Sequence, residues 1–152
     1  MVKFIKLILI ILCMMLIFSF SSDNADVSTK KSDSAIVRTC EVLIGRKLTS
    51  YEKEKYIEKF VFIVRKGAHF SIYLILGLLI MSYFKEIYLV SNKGLFLTVI
   101  ICFLYACSDE VHQLFVPGRS GEIRDVLIDT TGGVLGAYIY YFIFTIRRKL
   151  YE

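Results

Sequence analysis

Tryptophan is absent from this 152-residue sequence, histidine occurs twice and cysteine four times. Each scarcity removes a class of chemistry. Cys13, Cys102 and Cys107 lie in apolar stretches and Cys40 in a loop, with no CxxC spacing. Neither a disulfide framework nor a cysteine–zinc cluster is supported, and the four read as small packing residues. His69 and His112 form neither HExxH nor its reverse. With Asp109 and His112 as a single carboxylate–histidine pair, no metal and no cofactor are expected. Ser120 has no nucleophile elbow around it, which argues against a serine hydrolase. The charges sum to +5, but Lys and Arg are dispersed among Asp and Glu without a recognition motif, so nucleic acid is not an expected partner.

What is present is apolar. Hydrophobic residues make up 56% of the chain, against about 45–50% in an ordinary soluble domain, and the mean hydropathy is +0.61. They collect in four blocks, at about 4–20, 68–84, 95–115 and 126–146. A bilayer-spanning helix needs roughly 17–25 mainly apolar residues. The spacing therefore predicts an all-α membrane protein, a bundle of about four transmembrane helices in one domain over 1–152. Tyr73, Tyr83, Tyr88, Tyr138, Tyr140 and Tyr141 fall near block ends, where interfacial anchoring is expected. The first block, with Lys3 and Lys6 before it and Ser19-Phe20-Ser21 after it, also fits a secretory leader. At about 14 residues its apolar run is long for a signal core, so a retained anchor is expected.

The segment 21–66 is polar to amphipathic. After a Ser-, Asp- and Lys-rich loop, Ile36, Val37, Cys40, Leu43, Ile44 and Leu48 fall at helical spacing. Thr49 and Glu52 then match a capping box that starts another helix. The expectation is a pair of interfacial helices between spans one and two. With four spans, Lys3 and Lys6, Lys85 and Lys93, and Arg147, Arg148 and Lys149 share one side, which the positive-inside rule makes cytoplasmic. Segment 21–66 carries ten Lys or Arg on the other side, interleaved with seven acids. Both termini are expected in the cytoplasm.

Connectivity then gathers the polar residues. Lys66, His69 and Tyr73 open span two, Asp109, Glu110, His112 and Gln113 close span three, and Asp125 and Asp129 open span four. All belong to one membrane face. Ionisable groups at such a boundary persist mainly when paired or functional. Gly132, Gly133 and Gly136 line span four beside Asp129 and would let another backbone approach. Pro117-Gly118-Arg119-Ser120-Gly121 reads as a tight turn, with Arg119 able to pair with Asp109, Glu110 or Asp125, or to grip a phosphate. Mutual neutralisation within the bundle competes with a functional role for these charges.

Arg65-Lys66-Gly67-Ala68-His69-Phe70-Ser71-Ile72-Tyr73, followed by Leu76-Gly77, resembles the first element of VanZ-like proteins. Tyr105-Ala106-Cys107-Ser108-Asp109-Glu110-Val111-His112-Gln113, then Phe115-Val116-Pro117-Gly118-Arg119, resembles their second. Asp125-Val126-Leu127-Ile128-Asp129 with Gly132 and Gly136 resembles their third, and Phe18-Ser19-Phe20-Ser21-Ser22 is similar to the segment after their first helix. Where many members carry Glu just before the motif Tyr, this chain has Ile72, so a mechanism needing a carboxylate there has no support. The resemblance implies a multi-pass protein of a bacterial plasma membrane, of Gram-positive type, and a link to low-level teicoplanin resistance.

The expected function is thus a cell-envelope protein whose external polar pocket binds a lipid headgroup or a lipid-linked cell-wall precursor, with membrane lipids as partners. Two alternatives stay open: an enzyme using His69 or His112 as general acid–base on a lipid-linked substrate, and a transporter with Asp129 as proton site.

Overall fold

The computed structural model describes residues 1–151. These form α1 (Val2–Ser21), α2 (Ala25–Ile44), α3 (Ser50–Glu86), α4 (Asn92–Gln113) and α5 (Ile123–Tyr151), with no strand among them. Four of the five, α1, α3, α4 and α5, are long and apolar enough to cross a membrane. The apolar residues are displayed outward as much as inward. Phe4, Ile8, Phe96, Leu104, Leu127 and Phe142 are all exposed, as lipid-facing side chains must be when the surrounding solvent is itself apolar.

The expected pair of helices after span one takes a different form. The capping box at Thr49 is made, with Thr49 and Glu52 satisfying each other's backbone N–H groups. No break separates that helix from span two, because nothing between Ser50 and Glu86 interrupts the hydrogen-bond ladder. At about 1.5 Å per residue, its 37 residues reach about 55 Å, well beyond a hydrocarbon core of about 30 Å. The charged N-terminal half of α3 therefore extends past the apolar layer. α2 starts from a cap in which Asn24 accepts from Val27 N–H and ends at Gly45 in the left-handed region, φ 76°. The chain reverses over 45–49, and α2 runs back along α3, with Glu41 near Lys53 (3.9 Å) and Ile36 buried.

Small residues set how closely the spans pack. A Cβ at Gly132 would lie 2.3 Å from the Phe70 carbonyl oxygen, and one at Gly136 would lie 2.0 Å from that of Leu74. A Cβ at Gly77 of α3 would be equally close to the Gly133 carbonyl oxygen, at 2.1 Å, while Gly133 turns its other side to Cys102 of α4. The backbones of α3 and α5 are thus in direct contact, the small-xxx-small arrangement. Around this seam sits a core of Tyr73, Leu76, Ile80 and Met81 from α3, Cys102 and Ala106 from α4, and Ala137 from α5, with Ile10, Cys13 and Ile17 of α1 completing it.

Gly136→Ala forces the α3–α5 seam apart. The expected cost is about 1–3 kcal/mol, measured as a lowered melting temperature of the detergent-solubilised protein, whereas Leu135→Ala on the exposed side of α5 leaves it nearly unchanged.

Candidate functional site

The C-terminal ends of α1 and α4, the middle of α3 and the start of α5 meet at one end of the bundle, and the polar residues of all four converge there. His69, Asp109 and Asp129, from three different helices, each present a ligand-type atom within 4.8 Å of the other two. His69 Nδ1 lies 3.5 Å from Asp129 Oδ2. Asp129 is 0% exposed and Asp109 3%. They lie so deep because α3 and α5 approach at Gly132 and Gly136, one turn and two turns along α5 from Asp129.

Asp109 is held from one side only. Its Oδ2 accepts hydrogen bonds from Ser21 Oγ at 2.8 Å and from Gln113 Nε2 at 3.3 Å, while Oδ1 has no partner. Neither oxygen of Asp129 has one, nor do His69 Nδ1 and the Tyr73 hydroxyl. Tyr73, expected at the membrane interface, is wholly buried instead, with its ring 6.2 Å from that of Tyr105. The reason is its position on the α3 face that packs into the bundle, one turn below His69.

The remaining carboxylates hold the fold together. Glu110 accepts from the Glu122 backbone N–H at 2.8 Å and from Gln113 Nε2 at 3.2 Å, tying the α4–α5 connection to the end of α4. Gly121 packs closely under that connection, since a Cβ there would meet Leu114 at 2.9 Å and the Glu110 carbonyl oxygen at 3.1 Å. Lys66 donates to both oxygens of Asp125 in a half-buried ion pair, so its ammonium is already engaged.

Arg119 pairs with none of the three carboxylates that its position suggested. It donates instead to the Phe20 and Asp23 carbonyl oxygens, at 3.1 and 3.2 Å, and to Gln113 Oε1 at 3.2 Å. The turn carries it toward the end of α1, where the last carbonyls of that helix need donors. Burial pulls the Arg119 guanidinium below its ordinary value, and the positive charge of Arg65 pulls the same way. An arginine stays charged regardless. His112 shares a helix face with Asp109 in the sequence, yet it stands at the rim, 3.1 Å from Ser22 Oγ and with its ring tilted against that of Phe18, centroids 4.3 Å apart.

Beside the cluster opens a cavity of about 440 Å³ between α1, α2 and α3. Leu16, Ile17, Ala35, Val64, Ile72 and Ile75 give it an apolar lining, and Asp23, Lys31, Arg65, His69 and Arg119 also border it. Lys31 is paired with Asp23 at 2.5 Å. His69 belongs to both the cavity lining and the buried cluster. Ile72 lies on the apolar wall. Sequence reasoning missed Ser21 and Arg65. Ser21 sits at the end of a span, where a small polar residue is unremarkable, and Arg65 precedes a lysine that drew the same inference. The signal for both was their place in the motif segments.

Ser21→Ala removes a donor from a buried carboxylate. A loss of about 1.5–3 kcal/mol is expected, read as a lowered melting temperature, with no change for Ser19→Ala at the exposed neighbouring position.

No curated protein and no solved structure matches this chain. A family model does, over residues 5–145, an interval that takes in all four apolar helices, the three polar segments and the cavity. The match covers all but the two ends of the all-helical chain in which those segments converge, and the chain belongs to the VanZ/LLP1 family of membrane proteins.

Proposed function

We propose that this protein binds an anionic lipid, a phospholipid or a lipid-linked cell-wall precursor, with the acyl or prenyl chain along the cavity wall and the phosphate at Arg65 and Arg119. The observation that carries this reading is the pair of guanidinium groups lining a mostly apolar cavity, which Asp23, Lys31 and His69 also line, with the charge of Arg65 bearing on Arg119. Guanidinium forks suit phosphate oxygens, and an anion between them would relieve their repulsion. Arg65 takes the role that the sequence suggested for Lys66, whose charge Asp125 already neutralises. The cavity lies at the end of the bundle where α1 finishes.

Lys6, Lys85 and Lys93 belong to the opposite end, where Lys6 also pairs with Glu86. The positive-inside rule supports a cytoplasmic assignment for that end and for both termini, in a bacterial plasma membrane. The cavity is then external, and sequestering a precursor there would lower susceptibility to teicoplanin-type glycopeptides. Native mass spectrometry of the purified protein should find a phosphate-bearing lipid retained by the wild type and lost from Arg65→Gln/Arg119→Gln. Equal retention by the two removes the reading. In the producing cell, deletion should lower the inhibitory concentration of teicoplanin severalfold, and an unchanged value removes the resistance role alone.

A second reading has its own observation. His69 borders the cavity and also lies 3.5 Å from Asp129, the geometry of an acid–base group oriented by a carboxylate. Turnover of a labelled lipid precursor by wild-type protein, abolished in His69→Ala, would favour an enzyme over a binding protein.

A further inference from the structure

We propose that His69, Asp109 and Asp129 hold a divalent transition-metal cation, of the zinc or manganese kind, beside the cavity that His69 lines. One imidazole nitrogen and two carboxylates form a donor set suited to such ions. Two carboxylate charges balance one dication, whereas two carboxylates buried side by side with at most one imidazolium between them keep an excess negative charge.

Clustering alone would not make this a site. The hydrogen bonding does. Five buried polar atoms here make no hydrogen bond: Asp109 Oδ1, Asp129 Oδ1, the Tyr73 hydroxyl, and His69 Nδ1 and Asp129 Oδ2, which face each other at 3.5 Å. Buried polar atoms are nearly always satisfied, so five together require an explanation. A proton on His69 accounts for its contact with Asp129 Oδ2 and leaves Asp109 Oδ1, Asp129 Oδ1 and the Tyr73 hydroxyl. A cation takes one lone pair from each of the three ligands at once.

The surrounding hydrogen bonds hold the cluster in place from outside. Ser21 and Gln113 fix Asp109 through Oδ2 and leave Oδ1 to point elsewhere, as outer partners do when they orient a ligating carboxylate. Arg119 in turn fixes Gln113 through Oε1. Ligand atoms around one zinc-like ion at about 2.0–2.2 Å lie roughly 3.4 Å apart. The present spread, within 4.8 Å, closes through side-chain rotation on binding. His69 faces the cavity, which supplies an entry path and an open coordination position. The three ligands come from separate helices, which is why no spacing motif announced them.

The proposal goes beyond lipid binding and stands without it. The full chain, purified in detergent, stripped with chelator and desalted after incubation with Zn²⁺ or Mn²⁺, should retain one equivalent of metal by plasma mass spectrometry. Asp109→Asn and Asp129→Asn should each bind at least tenfold more weakly, while Glu86→Gln at the opposite end binds as the wild type does. Wild-type protein alone provides a check that no variant's folding can obscure: Co²⁺ should give visible d–d absorption, and metal should raise the melting temperature reversibly. Less than stoichiometric metal in the wild type, no melting shift, or full binding by the Asp109→Asn/Asp129→Asn double variant would overturn the site. Lipid assayed on the same samples separates the two ideas, because metal retained without lipid leaves the cation site standing and the lipid reading unsupported.

Discussion

A carboxylate with no accessible surface sits where α5 enters the bundle, and the arrangement of the other helices follows from accommodating it. Removing such a group from water costs several kcal/mol unless charge and hydrogen bonds are returned to it. Asp129 obtains neither from its own helix, which is apolar on one side and glycine-lined on the other. It is buried because the backbones of α3 and α5 touch at Gly132 and Gly136, and that contact leaves no room for the side chain to reach solvent. His69 from α3 and Asp109 from α4 are what it meets. The seam that stabilises the bundle and the cluster that makes it chemically interesting are one feature.

Around that cluster the charges divide by task. Glu110 caps a connection, Lys66 and Asp125 neutralise each other, and Arg119 ties the last carbonyls of α1 to Gln113. Glu110, Lys66 and Asp125 are satisfied, Arg119 keeps N–H groups beyond its three bonds, and satisfied polar networks rigidify what they join. His69, Asp109, Asp129 and Tyr73 keep unpartnered atoms, and Arg65 shares its cavity with another cation. Around the cluster, the groups that complete their bonds within the chain hold the frame, and those with unpartnered atoms mark the candidate site. That contrast separates the site from its frame more sharply than charge alone, since both sets contain acids and bases.

α1 participates in the site, although its composition suggests only an anchor. Ser21 supplies a donor to Asp109, and the Phe20 carbonyl oxygen holds Arg119. Leu16, Ile17 and Phe20 line the cavity, and Tyr105 donates to the Met14 carbonyl oxygen at 2.6 Å. The second helix, α2, closes the cavity from the other side by running along the extended half of α3, so a segment read as a headgroup-lying pair becomes a wall.

The number of spans, the helical class, the capping box at Thr49 and the shared end of the polar residues were legible in the sequence, because each depends on local periodicity or on connectivity. Four crossings force alternate helix ends onto one face whatever the packing. Which residues at that face would pair was not legible. Arg119 found backbone carbonyls in place of carboxylates, Lys66 was taken by Asp125, His112 turned to the rim, and Ser21 joined the core of the cluster. Helix rotation and the closeness of approach decide such contacts, and both depend on how side chains from separate helices fit together. The sequence thus determined the inventory and the face, and tertiary packing decided the partners, because a hydrogen bond depends on ångström-scale placement that no spacing along one helix encodes.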